Sequence, residues 1–431
     1  MIILKIFHTV FILVLLGAVF AAPTMAMNTE EKENTEHQVP SRIIIWDSQR
    51  LDEIIKEYGI AKYGAGDLTR STLKHSFLIP ERSMHEHGDL VRKLFPTFPD
   101  INELVLWDPP TDTLCVLADM PHSPQALRLA TFKVPMESEG IRSLARLISS
   151  LKYLRLDIMK GFDTHSIKMM ADTLSVSHSL ATLFLQNIES CGPKGGQFLA
   201  ESLKHNKTLT QLKLYHCNIG SQGATAIFQA LGNNSSLTML ALNDNIGGDG
   251  DTQLNMDGLK RNATLTHLDL CLSHLGAKAI ILLKDALENN SSLIFLNLGY
   301  NGLDHACAPL LSDFLAHNTG LTKLDLSSNH LSRWYAEVFA QAFTINSTLT
   351  KLNWSYNDVG GIEILSKNPT LKKLNLCRNR IGHQDIPALC AALRKNTSLT
   401  RLNLRGNDID ENDKKTIETA KHSKLTVKWY W

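Results

Sequence analysis

The 431-residue sequence contains no Cys-x-x-Cys pair, and its seven cysteines are an odd number. Both facts argue against a disulfide framework and suit a reducing compartment. Net charge is nearly absent, with 44 Lys/Arg against 43 Asp/Glu, so nothing points to nucleic acid or a membrane surface as the main partner. Catalytic signatures are missing too. There is no Walker-type phosphate loop, no Gly-x-Ser-x-Gly and no His-Glu-x-x-His, the usual marks of nucleotide hydrolases, serine hydrolases and zinc proteases. His85 and His87 in HEHG hint at a metal pair, but with no further ligands nearby a solvated loop is the simpler reading. No enzyme activity, cofactor or metal is expected.

Long hydrophobic runs are scarce. TVFILVLLGAVFAA at 9–22 follows Lys5 and His8 and is short for a membrane span, which needs about 20 residues. Small residues at Val19 and Ala21, or Thr24 and Ala26, fit a cleavage site, and the chain then turns polar and acidic at MNTEEKENTEHQVPS. A signal peptide over 1–26 and a flexible leader over 27–40 are expected, with a membrane anchor at 9–22 as the alternative.

What the sequence has in abundance is one repeated unit. Leu-x-x-Leu-x-Leu, or a close variant, begins at Leu151, Leu180, Leu209, Leu237, Leu265, Leu293, Leu321, Leu349, Leu371 and Leu399, in steps of 28 or 29 residues except one of 22. A period held this long marks a solenoid. The Leu-x-Leu core reads as a short strand with alternate residues inward. An asparagine eight residues after the first leucine recurs at Asn245, Asn301, Asn329, Asn357, Asn379 and Asn407. Its amide suits backbone groups left open where the chain leaves the strand. GATAIFQALGNNSSL (223–237) and GAKAIILLKDALENNSSL (276–293) carry apolar residues at three- and four-residue spacing and predict helices. One strand and one helix cannot bury a core alone, but stacked copies can. The expectation is an α/β solenoid shaped as a horseshoe, parallel strands inside and helices outside.

These residues resemble the ribonuclease-inhibitor-like class of leucine-rich repeat proteins, over about 141–431. The resemblance implies a binding role, since the class includes inhibitors, sensors, GTPase-activating proteins and effectors of intracellular bacteria. A signal-like start would suit a secreted bacterial effector. GTPase activation is the alternative and would need an arginine or asparagine against a bound GTPase; Arg378, Arg380 and Arg405 are available.

Residues 41–140 lack clear repeats. INELVLWD (101–108) fits the strand pattern at Ile101, Leu104 and Leu106, PQALRLATF (124–132) fits weakly, and DSQRLDEIIKEYGIAKYG (47–64) reads as helix. A cap with degenerate first repeats is expected, the alternative being a separate small domain with its own activity. The 22-residue unit at Leu349 carries Gly360, Gly361 and Pro369 where its helix should run, and Trp354 in place of the third leucine. A shortened helix with the indole filling the space follows. SKLTVKWYW (423–431) predicts a closing strand.

Asn-x-Ser/Thr triplets begin at Asn206, Asn233, Asn234, Asn262, Asn289, Asn290, Asn346, Asn353 and Asn396. Most precede a strand at the same phase, so a structural turn explains them without a glycan.

The inward positions between the core leucines form rows. Two residues after the first leucine stand His267, Phe295, Lys323, Lys351, Lys373 and Arg401, and two further on Asp269, Asn297, Asp325, Asn353, Asn375 and Asn403. Tyr300, Tyr356, Arg378 and Arg405 lie next to them. Residues 321–431 hold 17 Lys/Arg against 10 Asp/Glu, which leaves the rest acidic. The expected partner is therefore a protein with an acidic surface, met by a monomer through Lys323, Lys351, Lys373, Arg378, Arg401 and Arg405, with Phe295, Tyr300 and Tyr356 as anchors. Nucleic acid is disfavoured by Asp269 and Asp325 in the same rows, and no small-molecule substrate is expected.

Overall fold

In the computed structural model the described residues are 41–44, 75–79, 103–107 and most of 109–429, apart from 110, 122–123, 131–134, 158–160, 248–253, 304, 358–361 and 363–367. The expected signal peptide, the leader, the helix over 47–64 and HEHG lie outside them. Residues 40–431 form one compact unit. Its sheet has fifteen strands among the described residues, all parallel and in strict sequence order.

The strands are β1 (Ser41–Ile44), β2 (His75–Ile79), β3 (Glu103–Trp107), β4 (Ala126–Ala130), β5 (Tyr153–Asp157), β6 (Thr182–Gln186), β7 (Gln211–Tyr215), β8 (Met239–Ala241), β9 (His267–Asp269), β10 (Phe295–Asn297), β11 (Lys323–Asp325), β12 (Lys351–Asn353), β13 (Lys373–Asn375), β14 (Arg401–Asn403) and β15 (Thr426–Lys428). The helices are α1 (Thr111–Asp119), α2 (Ser138–Leu147), α3 (Thr164–Val176), α4 (Gly192–His205), α5 (Gly220–Leu231), α6 (Asp257–Arg261), α7 (Ala277–Leu287), α8 (Cys307–His317), α9 (Arg333–Ile345), α10 (Ile386–Lys395) and α11 (Glu411–Ala420). The periodicity thus gives the strands and helices it predicts. Strands sit about 4.8 Å apart and packed helices 8–10 Å apart, so a one-strand, one-helix repeat bends toward its strand face.

The repeat leucines are the core. In the unit starting at Leu293, Leu296 and Leu298 are fully buried, and the equivalent residues of the neighbouring units repeat the pattern. Leu104 and Leu106 of β3 are buried in the same way, so the sheet continues upstream of the regular repeats. Helices approach closely where side chains vanish: a Cβ on Gly196 of α4 would stand 2.7 Å from the Gly223 Cα of α5. Trp354 is fully buried with its ring 5.5 Å edge-on from Phe339. It serves as core, while most of the shortened segment after it lies outside the described residues. The closing strand is present as β15, and no disulfide joins any of the seven cysteines.

Two buried asparagine ladders tie the repeats together. In the first, Asn301 Nδ2 donates to the carbonyls of Leu270 (3.0 Å) and Gly299 (3.1 Å), while its Oδ1 accepts from the N–H groups of Ser273 (3.0 Å) and Leu275 (3.1 Å). Asn329, Asn357 and Asn407 repeat the scheme. The second ladder holds most of the sugar-acceptor triplets. Asn262 Nδ2 donates to the carbonyls of Leu231 (2.8 Å) and Asn234 (3.0 Å), and its Oδ1 accepts from Leu265 N–H (2.7 Å). Asn206, Asn234, Asn290, Asn346 and Asn396 are likewise buried, and each Oδ1 caps the N–H three residues on. A sugar on such an amide nitrogen would have to displace these bonds. Asn233 and Asn289, one residue earlier, are exposed instead.

The ladder has one broken rung. Asn379 is fully buried, yet its Oδ1 has no hydrogen-bond partner, at the junction with the shortened unit. Asn301→Ala strands two N–H groups and two carbonyls and is expected to cost about 3 kcal/mol or more in urea unfolding. Asn379→Ala should cost clearly less, because its oxygen satisfies nothing. Equal losses would contradict this account of the ladder.

Candidate functional site

Parallel in-register pairing turns the repeat letters into physical rows. Phe295, Lys323, Lys351, Lys373 and Arg401 are direct neighbours across β10 to β14, and Phe295 pairs with His267 of β9. All five side chains are half-buried on the strand face. Neighbouring strands place the three lysines and the arginine about 4.8 Å apart along the row. Like charges directly opposite one another repel across a sheet, and the register concentrates positive charge along one line of this face. The Phe295 and His267 rings lie 5.7 Å apart at its end.

From β6 to β14 the chain leaves the strand through a left-handed residue, followed in five of these turns by a second two positions on. Asn187, His216, Asp244, Leu272, Tyr300, Ser328, Tyr356 and Arg378 all have φ between +52° and +58° at the same phase, and Gly406 continues the series. Asparagine, aspartate and glycine adopt this conformation cheaply, whereas large side chains seldom do. Leu272, Tyr300 and Tyr356 nevertheless occupy it and stay exposed, at 38%, 46% and 42%. The Arg378 guanidinium stacks 5.2 Å above the Tyr356 ring. The structure therefore sets Tyr300, Tyr356 and Arg378 along the rim beside the basic row. Arg405 is half-buried at the preceding phase, with its N–H bonded to Asn403 Oδ1 at 3.2 Å.

Four residues of the second row are buried, while Asn375 and Asn403 are half-buried. Asp269, Asn297, Asp325 and Asn353 are at most 8% exposed. Asn375 Nδ2 donates to Asn353 Oδ1 (2.8 Å), and Asn353 Nδ2 to Asp325 Oδ2 (2.7 Å), which also accepts Ser327 Oγ on its other oxygen (2.6 Å). Asn243 Nδ2 donates to Asp269 Oδ1 at 3.1 Å. A polar spine thus runs beneath the cations. Burial is the largest influence on its carboxylates. It lifts Asp325 above the ordinary range and Asp269 from 3.8 to about 6, against the hydrogen bonds that favour the charged form.

The first repeats carry a second polar cluster that the sequence reading passed over. Arg155 of β5 lies 4.4 Å over the Phe184 ring of β6, which meets Tyr215 of β7 edge-on at 4.8 Å. Lys213 of β7 is in register with Phe184. Reading the same phases back to Leu151 reveals these residues; the C-terminal charge bias drew attention elsewhere. Among the described residues no group of three or more His, Cys, Asp or Glu could hold a metal ion, and no helix there is long and apolar enough to cross a membrane.

The raised Asp269 has a stability consequence. Its folded-state value of about 6 exceeds the ordinary 3.8, so the folded state binds the proton more tightly. Stability linked to this group is full below the unfolded value and lost as pH rises through about 6. The loss is bounded at about 3 kcal/mol, from about 1.4 kcal/mol per unit. The urea midpoint is expected to rise as pH falls from 7.5 to 5, and Asp269→Asn should flatten that slope. A midpoint that falls over this range would contradict the assignment.

The leucine-rich repeat family model matches residues 205–228, 317–332 and 395–412. No curated protein matches by sequence. Among solved structures, an internalin from Listeria monocytogenes is similar at 19% identity and a TM-score of 0.38, over 73% of this chain and 88% of that one. Yeast Rad7 in its complex with Elc1 aligns at 16% identity and a TM-score of 0.39, over 68% and 83%. The Drosophila Toll–Spatzle complex gives 16% identity and a TM-score of 0.47, over 77% of this chain and 43% of that one. The repeat periodicity and the ordered parallel sheet give the chain the fold of a leucine-rich repeat solenoid, and the family model matches three segments of it.

Proposed function

We propose that the chain is a non-enzymatic scaffold of the ribonuclease-inhibitor-like kind that binds an acidic protein surface on the strand face of β10 to β14. The observation that carries this reading is the register of Lys323, Lys351, Lys373 and Arg401 on four adjacent strands. A line of positive charge on one face complements an anionic partner surface. Phe295 at the row's end and Tyr300 and Tyr356 on the rim supply the apolar anchors that charge alone does not. Nucleic acid fits worse, because the buried carboxylates of Asp269 and Asp325 lie beneath the row.

Export through residues 1–26 belongs to the same proposal, with action as an effector inside another cell. Delivery into a reducing cytosol reconciles an export signal with seven cysteines and no disulfide.

Replacing Lys323, Lys351, Lys373 and Arg401 together with Glu is expected to weaken partner binding by about 100-fold or more, while circular dichroism remains that of the folded chain. A folded quadruple variant that binds normally would end this reading. For export, the intact mass of protein from its native source should lack residues 1–26 and carry no hexose; retention of the segment would argue for an anchor.

A further inference from the structure

A cation outside the basic row is held in an unusual position. Lys213 lies on β7 with Phe184 of β6 in register on one side and Ala241 of β8 on the other. The Phe184 side is packed. Arg155 covers that ring and donates through Nη2 to Gln186 Oε1 at 2.8 Å and Asp157 Oδ2 at 3.1 Å, and Tyr215 closes edge-on at 4.8 Å. Asp269, beyond Ala241, accepts from Asn243 Nδ2 and the Cys271 N–H, both at 3.1 Å. Lys213 itself is half-buried, and among the described residues its ammonium makes no ion pair and no hydrogen bond. Burial lowers its pKa; the Asp269 charge pulls it back up and the Arg155 charge pushes it further down.

A partly desolvated ammonium with no carboxylate in contact, and only the distant charge of Asp269 to offset it, is costly to keep, and the cost falls when an anion enters. The wall of Phe184 and Tyr215 shields such an anion from water on one side. Its charge should be small, because Asp157 and Asp269 flank the position and would repel a dianion. We propose that Lys213, walled by Phe184 and Tyr215, is a carboxylate subsite that takes an aspartate or glutamate side chain of the acidic partner. This rests on the strand-face reading above and deepens it. β7 and β11 are four strands apart, about 19 Å at the usual strand spacing, so one extended acidic segment of roughly six residues reaches both Lys213 and the basic row.

The test uses the full chain and a fluorescein-labelled dodecaglutamate peptide, read by fluorescence anisotropy at low salt. Lys213→Met is expected to weaken binding about ten-fold while raising the urea midpoint, because it removes a half-buried charge but keeps the aliphatic stem. Lys213→Arg should keep most of the affinity. In parallel, acetylation of Lys213 at pH 8, followed by mass spectrometry, should be slowed by bound peptide. Wild-type affinity in Lys213→Met, or unchanged acetylation with peptide bound, overturns the subsite. If only a Lys323/Lys351/Lys373/Arg401→Gln variant loses the peptide, the basic row stands and the subsite falls. If Lys213→Met alone loses it, the subsite stands and the basic row falls. A wild-type chain that ignores the peptide overturns the subsite as well.

Discussion

Every repeat depends on the same constraint: the backbone amides at the turn after each strand are buried and need partners. Short strands satisfy their own edges through parallel pairing, but the turn after each strand points its N–H groups into the stack. Asn301, Asn329, Asn357 and Asn407 reach across to the previous repeat and satisfy them. The second ladder, from Asn206 to Asn368, does the same for the carbonyls where the helices end. Buried polar groups without partners are expensive, so the spacing of asparagine is as strongly determined as the spacing of leucine.

Because the ladders and the leucine core hold each repeat, the outward positions of the strands are released from structural duty. They can carry lysines in a row, aromatic residues at left-handed turns, or a half-buried cation that touches no carboxylate. Large side chains in left-handed turns and a partly desolvated ammonium cost stability, which the leucine core and the ladders supply. The charge pattern is uneven along the sheet: cations face the strand side in β11 to β14, with Asp325 buried beneath them, and again around Arg155 and Lys213, while Asp269 lies buried between the two regions. A partner read by this surface therefore meets positive charge at two places and apolar or neutral groups in the middle.

Much of this was legible in the letters. Leucine spacing and the asparagine eight residues on define strand, turn and stacking, and the structure places the basic row in the register that the sequence implies. Trp354 could be assigned to the core from its phase alone. Other features were not legible for physical reasons. Sequence phase says which face a residue points to, but not that its neighbours cover it. Asn297 and Asp325 therefore look like contact residues and are in fact a buried spine. The triplets at Asn262 and Asn290 look like sugar sites until their amides are seen to be occupied. Lys213 was missed because its meaning lies in what it does not touch, which only three-dimensional neighbours reveal.

The central claim is that the strand face, not the helix face, meets the partner. Amide hydrogen exchange of the chain with and without its bound partner addresses it most directly. The account predicts added protection in β10 to β14 and in the turns that hold Tyr300, Tyr356 and Arg378, with α7 to α10 unchanged. Protection confined to those helices, with the strands and turns unaffected, would contradict it.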